Sequence, residues 1–76
     1  MDLQKFIENF AAQFENVDVS ELTAETKFRN LEEWSSLLAL SIIAMVDEEY
    51  DVVIKGDDIR KSETIEDLFN AVKLLK

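Results

Sequence analysis

Hydrophobic residues recur with helical spacing in three stretches of this chain, and the first stretch lies at the amino end. Apolar residues stand every three or four positions from Leu3 to Phe14, and Asp2 precedes them as a candidate helix cap. This pattern predicts a first helix that ends near Asn16. Its predicted core face consists of Leu3, Phe6, Ile7, Phe10, Ala11 and Phe14.

A second helix is predicted from Ser36 to Tyr50, because no Gly or Pro interrupts these residues and Ser35 can cap their first turn. Apolar residues cover more than half of its circumference, so one neighbouring helix cannot bury them all. Part of this surface is therefore expected to contact a partner or a ligand. One stripe contains Leu37, Leu40, Ile43, Ala44 and Asp47, and the neighbouring stripe contains Leu38, Ile42, Met45 or Val46, and Glu49 or Tyr50.

The third helical stretch lies at the carboxyl end of the chain. Thr64 and Asp67 form a capping-box pattern at its start, and Lys73 and Lys76 suit its end, where the helix dipole favours positive charge. The predicted core face of this helix consists of Ile65, Leu68, Phe69, Val72 and Leu75.

Two connections separate the three helices. Residues 17–34 show no sustained period; we expect their apolar residues to pin them to the core, with a short helical turn at residues 20–24 capped by Ser20. Residues 51–56 are β-branched but have no partner strand, so we expect an extended linker that turns at Gly56. Residues 57–60 then predict one short helical turn. The fold class is thus all-α: a small helical bundle of three main helices plus one short helix, in a single domain over residues 1–76.

Composition limits the chemistry that this chain can perform. Its 76 residues include no Cys and no His, which removes disulfides, thiolate metal sites and the commonest general base. The carboxylates Asp47, Glu49 and Asp51 resemble the start of a calcium loop, but Val52 stands where that loop requires Gly. We therefore expect neither an enzyme nor a specific metal site. Any thiol chemistry must come from a cofactor.

The chain is strongly acidic, with a formal net charge of −9. Residues 32–67 hold eleven acidic and three basic side chains, a balance of −8. This charge argues against nucleic acid and anionic membranes as partners and favours proteins with basic patches. No uncharged stretch is long enough to span a membrane, and the amino end lacks the pattern of a signal peptide. We expect a cytoplasmic, monomeric protein.

One motif links the two ends of the second predicted helix. Ser36-Leu37 opens the helix, and an acidic run leads to Tyr50, fourteen residues after the serine. This arrangement resembles the attachment site of the acyl carrier protein family, in which Asp-Ser-Leu is followed at the same spacing by an aromatic residue after an acidic run. The similarity extends over nearly the whole chain and implies an acyl carrier protein-like bundle.

The resemblance implies that a serine carries 4′-phosphopantetheine, whose thiol holds an acyl group as a thioester. Counting back from the aromatic residue assigns this role to Ser36, whereas counting forward from Leu31 fits Ser35 better. We prefer Ser36, because a loop accommodates an insertion and a helix does not. The chain departs from the family pattern at Ser35, where Asp is usual, and at Leu38 and Ser41, where acidic residues are common.

The resemblance also implies partners. A phosphopantetheinyl transferase would install the arm from coenzyme A, and acyl-processing enzymes of fatty acid or polyketide type would dock through basic patches. A peptidyl or aminoacyl carrier is an alternative, as is an acidic helical interaction module that never receives the arm. The expected docking residues are Leu37, Leu40, Ser41, Ala44, Asp47 and Glu48.

Overall fold

Four α-helices and two short 3₁₀ turns form the fold of residues 2–76, which the computed structural model describes. Within these residues no β-strand forms, although an isolated bridge pairs Lys27 with Thr64. The predicted all-α bundle of three main helices and one short helix is confirmed. The helices are α1 (Leu3–Ala11), α2 (Ser36–Tyr50), α3 (Gly56–Lys61) and α4 (Ile65–Leu75), and the 3₁₀ turns are Val19–Glu21 and Phe28–Asn30.

The core is built on the apolar face of α1, which contacts both α2 and α4. Phe6 and Phe10 are fully buried on this face. The Phe6 ring contacts Tyr50 at the end of α2 and Phe69 in α4, with ring centroids 5.7 and 5.4 Å apart. Aromatic pairs at such separations stabilise a core beyond the area they bury. The phenylalanines of α1 are therefore core residues, as their spacing predicts.

The first helix ends at Ala11, so the predicted end near Asn16 is wrong. After Ala11 the backbone tightens, because the Gln13 and Phe14 N–H groups donate to carbonyls three residues earlier, at 3.1 and 3.0 Å. This turn still places Phe14 in the core, where its ring stacks on that of Phe10 at 5.6 Å. The hydrophobic period predicted the burial of Phe14 correctly, but burial does not require a helical backbone.

The first 3₁₀ turn also differs from the prediction. It spans Val19–Glu21 rather than residues 20–24, and its cap is Asp18 rather than Ser20. The Asp18 carboxylate accepts a hydrogen bond from the Ser20 N–H at 3.0 Å, and the Glu21 carboxylate accepts one from the Asp18 N–H at 3.2 Å. Two candidate caps lie close together here. The one followed three residues later by Glu prevails, because that pair forms a capping box.

Backbone hydrogen bonds fasten the rest of this connection to α4. The carbonyls of Ala24 and Thr26 accept from the N–H groups of Glu66 and Ile65, at 3.0 and 3.1 Å. These donors belong to the first turn of α4, where N–H groups have no partner inside the helix. Phe28 follows directly and is fully buried. The connection is therefore pinned to the core, as predicted.

Between α2 and α4 the chain follows the prediction in outline. Residues 51–55 form neither helix nor strand, although Asp51 is left-handed rather than extended, and Ile54 is buried. Gly56 does not make a separate turn but begins α3, so this helix spans six residues rather than the four predicted. Ser62 ends α3 and is buried, and its hydroxyl donates to the Asp58 carbonyl at 2.9 Å.

The last helix has the predicted cap and most of the predicted core face. The Thr64 hydroxyl accepts from the Asp67 N–H at 3.1 Å, and the Asp67 carboxylate accepts from the Thr64 N–H at 3.1 Å. Burial continues as far as Val72. Leu75 is 55% exposed, so its assignment to the core is wrong. It lies beyond the part of α4 that the other helices cover.

Candidate functional site

Two adjacent serines at the start of α2 have different roles in the fold. Ser35 is the N-cap: its backbone is extended, and its hydroxyl accepts a hydrogen bond from the Leu38 N–H at 3.3 Å. Ser36 is the first helical residue. Its side chain is exposed, and its hydroxyl makes no hydrogen bond to another of residues 2–76. The predicted cap is confirmed, and of the two hydroxyls only that of Ser36 is uncommitted in this part of the chain.

The loop before the serines is held from two sides. Trp34 packs edge-on against the buried Phe28 ring at 5.1 Å and lies 6.4 Å from the Phe14 ring. On the other side, the Glu33 carboxylate accepts from the backbone N–H groups of Glu15 and Asn16, at 3.1 and 2.7 Å. These contacts join the loop before α2 to the segment that follows α1. Trp34 therefore packs at the end of the bundle and fixes the position of the serine pair.

A cleft of about 460 Å³ opens beside Ser36, between the start of α2 and α3. We call it the arginine cleft, because both arginines of the chain line it. Ser36 itself belongs to the lining. The other lining residues are Trp34, Ser35, Ala39, Gly56 and Ile59.

A second cleft, of about 410 Å³, lies on the opposite side of the serine pair, toward α1. We call it the glutamate cleft, because Glu15 and Glu33 line it. Ser35 belongs to both clefts, whereas Ser36 lines only the arginine cleft. The two sides of the site therefore carry opposite charges.

The predicted docking residues fall into two groups. Ser41, Ala44 and Glu48 line a shallow groove of about 300 Å³ between α1 and α2, and Ser41 also reaches the glutamate cleft together with Leu37. Leu40 and Asp47 are exposed outside these depressions. Leu37 and Leu40 are 71% and 62% exposed, which is unusual for leucines in a helix whose opposite side is buried. Part of the apolar surface of α2 thus stays uncovered, as its pattern predicts.

The carboxyl end of α2 carries negative charge where the helix dipole disfavours it. Asp47 and Glu48 are exposed in the last turns, and α2 has no basic residue there. Compensation comes from outside the helix, because the Lys76 ammonium donates to the Tyr50 carbonyl at 2.9 Å. Asp51 then ends the helix in the left-handed conformation, with φ of 56°.

Tyr50 closes the core at this end of the helix. Its hydroxyl accepts a hydrogen bond from the Asn9 side-chain amide at 3.0 Å. Burial raises the pKa of the Tyr50 phenol above its usual value of 10.0, an effect that the Asn9 hydrogen bond opposes. The aromatic residue that ends the sequence motif is thus a structural residue that joins α2 to α1.

Neither a metal centre nor a membrane-spanning helix is found among residues 2–76. No three carboxylates lie close enough together to hold a metal ion. No helix of this part of the chain is long and apolar enough to cross a bilayer.

Sequence reasoning missed two elements of this site. Nothing in the pattern places Arg29 and Arg60 beside Ser36, because they lie seven residues before it and 24 residues after it. The sequence also does not reveal that Glu33 anchors the segment after α1, since its partners are backbone groups 17 and 18 residues away. A residue count cannot reveal such contacts.

The fold and the site together define a small helical-bundle domain, with an accessible serine at the start of its longest helix. A family model described as the phosphopantetheine attachment site matches residues 5–72. The chain belongs to this family. No solved structure matches the chain.

Membership fixes the coarse function. Domains of this family carry 4′-phosphopantetheine covalently and are non-catalytic, so this protein is a carrier and not an enzyme. They interact with transferases and with acyl-processing enzymes. The predicted family, cofactor and lack of enzymatic activity are confirmed.

Proposed function

We propose that Ser36 is the residue that carries 4′-phosphopantetheine, in a single carrier domain over residues 1–76. The observation that carries this assignment is the division between the two serines. The Ser35 hydroxyl is engaged in capping α2, whereas the Ser36 hydroxyl is exposed and has no hydrogen-bond partner within residues 2–76. Modification of Ser36 would therefore leave the cap intact. Modification of Ser35 would sacrifice it.

The residues present fit a phosphodiester at this position. An attachment at Ser36 lies in the first turn of a 15-residue helix, where backbone N–H groups lack intrahelical partners and the dipole favours negative charge. The first turn contains no acidic residue that would repel it. When bound, the group supplies a thiol that holds the cargo as a thioester. The chain itself, which has no Cys, supplies none.

The docking surface that we propose is the exposed part of α2, consisting of Leu37, Leu40, Ser41, Ala44, Asp47 and Glu48. Two observations support it. First, the leucines are exposed to solvent, and the fold does not require them there. Second, the carboxylates lie at the carboxyl end of α2, where the helix dipole disfavours negative charge, so they do not stabilise the helix. A partner with an apolar patch beside basic side chains complements both features.

For the cargo we propose acyl intermediates of fatty acid or polyketide type, handled in the cytoplasm by a monomeric carrier. The apolar residues Trp34, Ala39 and Ile59 in the arginine cleft suit a hydrocarbon better than a charged aminoacyl group. The resulting test is the mass of the thioester released from protein isolated from its native source. An aminoacyl group there would replace the proposed cargo by the peptidyl or aminoacyl alternative.

The attachment site is tested by mass spectrometry of variants incubated with coenzyme A and a broad-specificity phosphopantetheinyl transferase. Wild type and Ser35→Ala should gain the mass of the arm, and Ser36→Ala should not. Modification of Ser36→Ala together with loss of modification in Ser35→Ala would move the site to Ser35. No modification of the wild type would favour the rival reading, an acidic interaction module.

The docking surface is tested separately on protein that already carries the arm. Asp47→Lys combined with Glu48→Lys should slow loading by acyl-processing enzymes at low salt, while the unfolding midpoint changes little, because exposed charges contribute little to stability. Glu8→Lys combined with Glu25→Lys is a matched control, since it reverses the same charge at exposed residues outside α2 and away from both clefts. Equal slowing in both double variants would show that net charge matters and that the surface on α2 does not.

A further inference from the structure

Ser36 shares its cleft with every arginine that the chain contains. The sequence holds eight basic residues, of which only Arg29 and Arg60 are arginines, and both line the arginine cleft. They come from different elements, the second 3₁₀ turn and α3. In a chain with a net charge of −9, two guanidinium groups at one small cleft are a local reversal of charge.

Arg29 is placed by the backbone of the connection. The second 3₁₀ turn follows the hydrogen bond from Ile65 N–H to the Thr26 carbonyl and is held by the buried Phe28 ring. The side chain of Arg29 is exposed, and within residues 2–76 it forms no salt bridge. It lines both the arginine cleft and a neighbouring depression that contains Glu63, so its charge is not committed to an ion pair and can reach a ligand in the cleft.

Arg60 is placed by the start of its own helix. One guanidinium nitrogen lies 3.4 Å from the position that a side-chain carbon on Gly56 would occupy, so the group lies against the first turn of α3. Its partner is Asp57, one turn earlier, and both side chains are about 70% exposed. An ion pair this exposed contributes little to stability. A phosphodiester can therefore compete for the guanidinium at small cost.

The opposite side of the site would repel the same group. Glu15 and Glu33 line the glutamate cleft, which contains no basic residue. The two clefts flank one serine pair, so their charges bias the direction in which an arm on Ser36 leaves the helix. Arginine is well suited to this role, because its planar fork of N–H donors matches the oxygens of a phosphate.

We propose that Arg29 and Arg60 bind the phosphodiester of the arm on Ser36 and direct the arm into the arginine cleft, away from α1. This inference rests on the proposed attachment at Ser36. The arm would then leave on the α3 side, whereas Ser41, Ala44 and Glu48 face the groove on the α1 side. A partner could occupy that groove without displacing the phosphodiester.

The test compares proteins with and without the arm. Five proteins receive the arm from coenzyme A and the phosphopantetheinyl transferase: wild type, Arg29→Gln, Arg60→Gln, the double variant and the control Lys61→Gln. Mass spectrometry then verifies the position of the arm in each. Lys61 neighbours Arg60 in α3 and is exposed but does not line the cleft. Absence of the arm from Ser36 at this stage refutes the proposed function. Everything measured afterwards concerns the arginines alone.

The first readout is the change in thermal midpoint on adding the arm. At low salt we expect a rise of about 4 °C in wild type and in Lys61→Gln, the size that two exposed charge-assisted contacts give in a chain of this length. The double variant should lose most of this rise and keep only the share that the start of α2 itself contributes, and each single variant should lose about half as much as the double variant. In wild type, 1 M salt should also abolish it, because the screening length falls to about 3 Å. A rise of equal size in wild type and the double variant, or no rise in wild type, would overturn the proposal.

The second readout is the direction of the arm. A nitroxide attached to its thiol should broaden the amide signals of Gly56 and Ile59 more than those of Gln13 and Asn16, which line the glutamate cleft. The double variant should lose this preference and Lys61→Gln should retain it. Equal broadening on both sides in wild type would refute a directing role for the two arginines.

Discussion

Because the Ser35 hydroxyl caps α2 and the Ser36 hydroxyl does not, substitutions of these neighbouring serines should have opposite effects on stability and on modification. Ser35→Ala removes the cap of α2, which typically costs about 0.5–2 kcal/mol. The hydrogen bond to the Leu38 N–H is long, at 3.3 Å, so we expect the lower half of that range, about 0.5–1 kcal/mol. In a 76-residue chain this lowers the unfolding midpoint by about 2–8 °C. The variant should still receive the arm.

Ser36→Ala should behave in the opposite way. The Ser36 hydroxyl has no partner among residues 2–76, and Ala is a better helix former than Ser by a few tenths of a kcal/mol. The unfolding midpoint should therefore stay the same or rise slightly, while modification is lost. A third variant, Ser35→Asp, restores the cap and places a negative charge where the helix dipole favours it. Its midpoint should match or exceed that of wild type.

Circular dichroism melts of the unmodified proteins measure the first effect, and the mass after incubation with coenzyme A measures the second. A larger loss of stability in Ser36→Ala than in Ser35→Ala would refute the roles assigned to the two serines. That result would mean that Ser36 caps the helix, so that α2 begins one residue later. The attachment site would then have to be assigned anew.

Three further predictions concern the bundle itself. Phe28→Ala removes a fully buried ring and should cost about 3–5 kcal/mol in a denaturant titration, whereas Val53→Ala, at a residue 69% exposed, should change stability by less than about 0.5 kcal/mol. Hydrogen bonds from the backbone N–H groups of Thr64 and Glu63 lower the pKa of the Asp67 carboxyl below 3.8. The ionised carboxylate therefore stabilises the fold above pH 3.8, and this stabilisation is lost as the pH falls through the pKa of the folded state. Thermal melts on acidification should therefore show a shallower loss in Asp67→Asn than in wild type, and an equal loss would contradict this assignment. Burial raises the Tyr50 pKa above 10.0, so the neutral phenol stabilises the fold up to pH 10.0, and this stabilisation is lost at higher pH. Tyr50→Phe should therefore show a smaller loss of stability at alkaline pH. An unchanged loss would point to another group.

Most of the fold could be predicted because burial and capping leave strong local signals. The core face of α1, the Ser35 cap and the Thr64 capping box each depend on residues at most four positions apart. The errors occur where a backbone choice is decided at longer range. Phe14 is buried without being helical, because a 3₁₀-like turn delivers its ring to the same core. Leu75 keeps the helical period but extends beyond the helices that could cover it.

The site was predictable only along the helix that carries it. The spacing from Ser36 to Tyr50 is local to α2, and so is the exposure of Leu37 and Leu40, which follows from too many apolar residues on one helix. The arginine cleft depends instead on how the 3₁₀ turn at Phe28–Asn30 and α3 come together beside α2. That arrangement is set by the backbone hydrogen bonds from Ile65 and Glu66 in α4 to the carbonyls of Thr26 and Ala24. No pattern in the sequence expresses it.

The exposed leucines of α2 also bear on self-association. A surface that is apolar enough to bind an enzyme can equally bind the same surface on a second copy of the chain. The net charge of −9 separates the two outcomes, because it repels an identical molecule and attracts a basic one. This selectivity weakens as salt shortens the screening length from about 8 Å at 0.15 M to about 3 Å at 1 M. Sedimentation at high salt should therefore reveal weak dimers that Leu40→Ser abolishes, and a monomer under all conditions would mean that these leucines need no electrostatic protection.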